Sequence, residues 1–169
     1  MKNLISLVTG GTSGVGKSVA LALAAQGSQV IVAGRDLIKT NAVCEHITRA
    51  TKNKSVFPMI ADLSSRAHID TLVSNMYAQF PRLDILVNNA GSVFFQRRQS
   101  VDGIEMTFAL NHLNYFLLGN FLIELLCKSP SPKILNVSSS AHKRSYIDFS
   151  DLQLKHNYRA WSCLLYTSD

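Results

Sequence analysis

Short apolar runs alternate with longer mixed stretches along the whole chain. Leu4-Ile5-Ser6-Leu7-Val8, Val30-Ile31-Val32-Ala33, the stretch Ser55 to Ala61, Leu83-Asp84-Ile85-Leu86-Val87 and Ile134-Leu135-Asn136-Val137 are nearly continuous in apolar character, which predicts strands buried on both faces. Between them the pattern predicts helices from about Lys17 to Gln26, Leu37 to Thr51, about Arg66 to Phe80 and about Gly103 to Lys128, the last stopped by Ser129-Pro130-Ser131-Pro132. Strands that alternate with helices imply a parallel sheet joined by right-handed crossovers. The expected fold is an α/β, doubly wound sheet with its ligand at the carboxyl ends of the strands.

Polar clusters fall at those ends: a glycine turn, Gly34-Arg35, Asp62, Asn88 to Gly91 and Ser138-Ser139. The turn, Thr9-Gly10-Gly11-Thr12-Ser13-Gly14-Val15-Gly16, joins a strand to a helix. Backbone N–H groups and the positive helix end would face a phosphate there. Gly11 to Ser18 also fit the spacing of a P-loop, in which Lys17 would reach phosphates and Ser18 would hold magnesium. The loop alone leaves both readings open.

With 169 residues, 47% hydrophobic and 17% charged, the chain suits a single soluble domain. The net charge of +6 is dispersed, and Arg97-Arg98 and Lys143-Arg144 are too short to form a nucleic-acid footprint. Cys44, Cys127 and Cys163 show neither disulfide nor zinc spacing, so a reducing cytoplasm is expected and no metal is. No secretory signal is visible, and Leu113 to Cys127 is too short and too polar for a membrane span. A buried or subunit-facing helix is the expected use of that stretch.

Taken in order, Thr9 to Gly16, Gly34-Arg35, Asp62-Leu63, Asn88-Asn89-Ala90-Gly91, Asn111 and Ser138-Ser139 resemble the short-chain dehydrogenase/reductase family. The stretches from Gly103 to Leu113 and from Asn136 to His142 resemble its retinol-dehydrogenase-like branch, and the likeness runs from Met1 to about Ser162. The P-loop reading explains none of the later motifs. The resemblance implies a Rossmann-type sheet and an oxidoreductase that interconverts an alcohol and a ketone or aldehyde by hydride transfer. Its substrate would be a small hydrophobic alcohol or carbonyl, and the full-length form could be a homo-oligomer.

By the same resemblance, Gly10, Gly14 and Gly16 line the pyrophosphate, with Thr9, Thr12, Ser13 and Val15 completing the cofactor turn. Asp62 and Leu63 contact the adenine, and Asn89, Ala90 and Gly91 lie beside the cofactor. Each has a structural alternative: glycines for close packing, Asp62 as a helix N-terminal carboxylate, and Asn89 to Gly91 as a turn. NAD binders hold the ribose with an acid at the end of the second strand. Gly34 takes that place here and Arg35 follows, so NADP(H) is favoured over NAD(H), with Asp36 pointing the other way. Ser139 matches the serine that polarises the substrate oxygen, although Ser138 and Ser140 are adjacent. Asn111 matches the asparagine that supports the proton relay; otherwise it is a helix-interior polar group bonded to backbone. Asn114 departs from the glycine of this branch.

The family's tyrosine and the lysine four residues later have no counterpart after Ser139. Tyr146 is followed by Ser150, Tyr158 by Ser162 and Tyr166 by nothing. The chain as written is therefore expected to be inactive or nearly so. Cys163 to Asp169 read CLLYTSD, which resembles a translated transposon-end adapter of sequencing libraries. The expected organisation is an incomplete nucleotide-binding domain over 1–162, ending after about the fifth strand, and a non-native tail over 163–169. An uncovered fifth strand and an exposed apolar patch near Phe116 to Leu126 would follow.

Overall fold

The computed structural model describes residues 3–139, 148–156 and 158–166. Ser140, Lys143-Arg144 and Tyr146, singled out above, lie outside the described residues. Five strands, β1 (Ile5–Thr9), β2 (Gln29–Gly34), β3 (Val56–Ile60), β4 (Ile85–Asn88) and β5 (Lys133–Asn136), form one parallel sheet in the order β3-β2-β1-β4-β5. Helices α1 (Gly14–Ala25), α2 (Leu37–Thr51) and α3 (Arg66–Gln79) make the first crossovers. The fourth runs through α4 (Met106–Phe108), a π-helical turn (Ala109–Leu113), α5 (Asn114–Phe121) and α6 (Ile123–Cys127), and α7 (Ala160–Tyr166) comes last. This is a Rossmann-type, doubly wound fold.

The two-residue period of the strands divides the core into two layers. Ile5, Leu7, Ile31, Ala33 and Leu86 face α3 and the α5–α6 segment, where Ile69, Leu72, Met76, Leu118, Leu122 and Leu125 are buried. Val8, Val30, Val32, Ile85 and Val87 face α1 and α2, against Ala20, Leu23, Val43 and Ile47. Because both faces of the central strands are covered, their sequences are apolar at nearly every position. β5 differs: all four of its residues are exposed, Ile134 at 45% and Leu135 at 48%. Phe116 and Ile123 are exposed nearby in sequence on α5 and α6.

Asp84 fastens the amino-terminal edge of the sheet. Its buried carboxylate accepts hydrogen bonds from the Ile5 N–H (2.8 Å), Arg82 Nε (2.9 Å) and Ser129 Oγ. Burial alone would raise its pKa, but these hydrogen bonds and the Arg82 charge hold it below the ordinary carboxylate value.

Two expectations change. α1 begins at Gly14 rather than Lys17, so two glycines fall in its first turn. The long helix expected from Gly103 begins only at Met106, because Gly103 adopts φ of 74° and Glu105 caps the Thr107 and Phe108 N–H groups. It then widens into the π turn and breaks at Leu122. Asn114 is fully buried; its Nδ2 donates to the Leu110 carbonyl, and its Oδ1 has no hydrogen-bond partner.

Candidate nucleotide-binding crevice

β1 lies between β2 and β4, so the chain leaves it in both directions and a crevice opens beyond Thr9. Side chains stitch the two halves together. Thr9 Oγ1 accepts from the Asn89 and Ala90 N–H groups (2.9 and 3.0 Å), and Asn89 Nδ2 donates to the Thr9 carbonyl (2.9 Å). The glycine turn passes so close to this seam that side chains are excluded. A Cβ on Gly10, where φ is 63°, would lie 2.8 Å from Ala90 Cα. One on Gly16 would lie 2.5 Å from the Gly10 carbonyl oxygen and would also strike Asn89 Nδ2.

The crevice, of about 420 Å³, has three walls. Gly10, Thr12, Ser13, Gly14 and Val15 form the floor at the amino end of α1. Gly34, Arg35, Asp62, Leu63 and Ser64 form one side, at the ends of β2 and β3. Asn89 to Ser92, Phe94, Met106 and Leu110 form the other, beyond β4. Thr9 and Gly16 are buried beneath this lining. Lys17 and Ser18 are not among the lining residues, and Ser18 Oγ donates back to the Gly14 carbonyl. The magnesium and phosphate roles of the P-loop alternative have no support in that arrangement.

Ser13 caps α1 without a side-chain hydrogen bond, and the first turn has no acidic residue. The N–H groups of that turn therefore face the crevice without a capping side chain, and the helix end is positive. The Asp62 carboxylate accepts from Ser64 N (3.0 Å) and Ser64 Oγ (2.7 Å), a local turn, while Ser65 is the N-cap of α3. Asp36, which sequence alone set against Arg35, caps α2 by accepting from Lys39 N at 3.0 Å. A Cβ at Gly34 would lie 2.5 Å from Thr40 Oγ1 and 2.6 Å from Thr12 Cγ2, so an acidic side chain has no room there. Arg35 is exposed on the rim.

Asn111 sits behind the wall rather than in it. Its Oδ1 accepts from the Ser92 N–H (2.9 Å) and its Nδ2 donates to the Ser92 carbonyl (3.1 Å). The paired bonds imitate a strand partner and hold the backbone after Gly91. Ser139 lies three residues beyond the end of β5 and is not among the lining residues. Sequence reasoning missed Ser64, Ser92, Phe94, Met106 and Leu110. Met106 and Leu110 are four apart on a helical stretch, but an i,i+4 apolar pair reads equally as core.

A glycine turn, an open helix N-terminus and a stitched crevice at the switch point of a parallel sheet define a dinucleotide-binding α/β domain. The short chain dehydrogenase family model matches residues 5–151, and the chain belongs to that family. Among its relatives are human retinol dehydrogenase 13, 39% identical over 160 residues and covering 93% of this chain, and human polyprenol dehydrogenase, 37% identical over 153 residues. These matches take in 48% and 46% of the respective relatives, so the chain spans about half their length. Of solved structures, one from Mycobacterium paratuberculosis superposes with a TM-score of 0.86 at 28% identity, covering 99% of this chain and 58% of the other. A Shigella flexneri short chain dehydrogenase complexed with NADP gives 0.80 at 25% identity, covering 99% and 67%. Relatives and fold together make the chain a retinol-dehydrogenase-like member of the family.

Proposed function

We propose that the natural protein is an NADP(H)-dependent oxidoreductase that interconverts a hydrophobic alcohol and its ketone or aldehyde. The observation that carries the cofactor preference is the end of β2. Gly34 has no room for the acid that would hold an unmodified ribose, Asp36 is engaged as a helix cap, and Arg35 is free to pair with a 2′-phosphate. The open N-terminus of α1 would take the pyrophosphate, and the Asp62 side the adenine. Bound there, the nicotinamide supplies hydride chemistry. Asn111 would hold the Gly91-Ser92 backbone beside it, and Ser139 would orient the substrate oxygen. The names of the relatives, retinol and polyprenol dehydrogenases, favour a largely apolar substrate.

The reading includes the absence of a Tyr-x-x-x-Lys pair after Ser139. We propose that the chain as given binds nucleotide without turnover and that residues 163–169 are not natural sequence. Resequencing the source past the codon for Ser162, without transposon adapters, tests that point. A frame that continues into Tyr-x-x-x-Lys supports it, and a confirmed CLLYTSD overturns it in favour of a non-catalytic binder. Titration of the chain with NADPH and NADH tests the preference: NADPH should bind at least about tenfold more tightly, the scale of one charge-assisted contact. Equal affinities would refute it. No described helix is long and apolar enough to cross a membrane. Cys44 and Cys127 form no disulfide, which fits the proposed reducing cytoplasm.

A further inference from the structure

Glu105 is fully buried, yet the proposed chemistry makes no use of it. Its carboxylate accepts from the Thr107 and Phe108 N–H groups at 3.0 and 2.7 Å, and so starts the helical stretch that carries Asn111. A second segment closes over it. Tyr158 Oη lies 2.6 Å from the Phe94 carbonyl, to which it donates, and 3.3 Å from Glu105 Oε1. Gln153 Oε1 accepts from the Glu105 N–H at 3.2 Å, and the Gln153 carbonyl accepts from Arg97 Nε at 3.3 Å. Cys163 Sγ also approaches Glu105, at 2.8 Å, from the proposed tail.

The position of this network gives it a role. Phe94 and Met106 line the crevice on the side away from Arg35 and Asp62. Phe94 is held through its carbonyl by Tyr158, and Met106 follows Glu105 directly. The segment from about 92 to 105 has little regular structure of its own; Gln99 and Glu105 form an isolated bridge. A loop of this kind keeps its shape only if something outside it fixes its backbone.

We infer that Glu105 and Tyr158 are positioning residues: Tyr158, donating its one hydroxyl proton to the Phe94 carbonyl, and the buried Glu105 cap that it packs against form a latch that fixes the Phe94–Met106 wall, and so shapes the half of the crevice that receives the nicotinamide end of the cofactor. The inference rests on the dinucleotide reading above, and it separates the two ends of the ligand. Adenosine 2′,5′-bisphosphate reaches only the wall of Arg35 and Asp62, whereas NADPH reaches both.

The test compares the chain with its Tyr158→Phe and Glu105→Gln variants by hydrogen exchange and by binding of both ligands. Tyr158→Phe should accelerate exchange in peptides spanning 92–99 and 153–160 while β1 to β4 stay protected. It should weaken NADPH about tenfold, equivalent to about 1.4 kcal/mol, and change adenosine 2′,5′-bisphosphate affinity by less than about twofold. Glu105→Gln keeps one acceptor for the helix cap and should give a smaller shift of the same kind. Unchanged exchange, uniformly faster exchange, or equal weakening of both ligands overturns the latch. If the unaltered chain binds neither ligand, the nucleotide reading and the latch's part in binding fail together, whereas unchanged exchange with normal NADPH binding sinks the latch alone.

Discussion

Replacing Gly16 by alanine adds one methyl group where the glycine turn meets the end of β4. The new Cβ would stand 2.5 Å from the Gly10 carbonyl oxygen and collide with Asn89 Nδ2. Asn89 must then give up its bonds to the Thr9 and Gly10 carbonyls, now 2.9 and 3.3 Å long. Two neutral hydrogen bonds are worth about 1 kcal/mol each, and the added strain costs about 1–3 kcal/mol. Alanine in place of glycine in a helix returns about 1 kcal/mol. The net loss is about 2–4 kcal/mol of stability, and the turn must shift against the floor of the crevice. Gly14→Ala is the control. Nothing lies within 4 Å of its Cβ, but φ is 52°, so it meets backbone strain alone, about 1–2 kcal/mol. Urea unfolding with NADPH fluorescence titration reads both quantities. Gly16→Ala should cost more stability than Gly14→Ala and weaken NADPH at least about tenfold. A Gly16→Ala protein within about 0.5 kcal/mol of the original, with unaltered affinity, would refute the packing argument.

Arg35→Ala should weaken NADPH by about tenfold or more and leave NADH unaffected, a difference that parallel fluorescence titrations read directly. Asp84→Asn leaves Arg82 without its counter-charge and should cost about 2 kcal/mol in urea unfolding. The folded carboxyl has a lowered pKa, so its stabilisation is complete above the unfolded value of about 4 and fades as pH falls through the folded value. The original chain should therefore lose stability more steeply than Asp84→Asn below about pH 4. Asn111→Ala removes both bonds to Ser92 and should speed amide exchange at Ser92 while β2 and β3 keep their protection. Burial, with help from Glu45, pushes the Cys44 thiol up to about 11. At pH 8, site-resolved alkylation should accordingly find exposed Cys127 modified and Cys44 untouched until the protein unfolds.

The sheet was legible because its central strands are covered twice. A run such as Val30 to Ala33 has no polar face to confuse its assignment, and each glycine or asparagine cluster marks a strand end. The floor and the Arg35 side of the crevice were legible for the same reason, since loops at one edge of a parallel sheet must converge. Long-range side-chain bonds were not. The Asp36 cap of α2 is by contrast local, accepting from the N–H three residues on, a bond of the kind that spacing can carry. The Glu105–Tyr158 contact joins residues 53 apart, and neither residue carries a local pattern. The interruption of the long helix was hidden too, because Asn111 and Asn114 read as ordinary helix positions until their side chains are seen bonding backbone.

The position of β1 in the middle of the sheet has a consequence for synthesis. Residues 5–60 leave the ribosome ahead of the rest of the sheet and supply β1, β2 and β3, and with them the glycine turn and the Arg35 side of the crevice. The remaining wall arrives only with β4 and Asn89, whose side chain locks onto Thr9 across 80 residues of chain. At about 5–20 residues per second, a nascent chain carries a half-built site for some seconds. A ligand that needs both walls finds its full site only once β4 and Asn89 are in place.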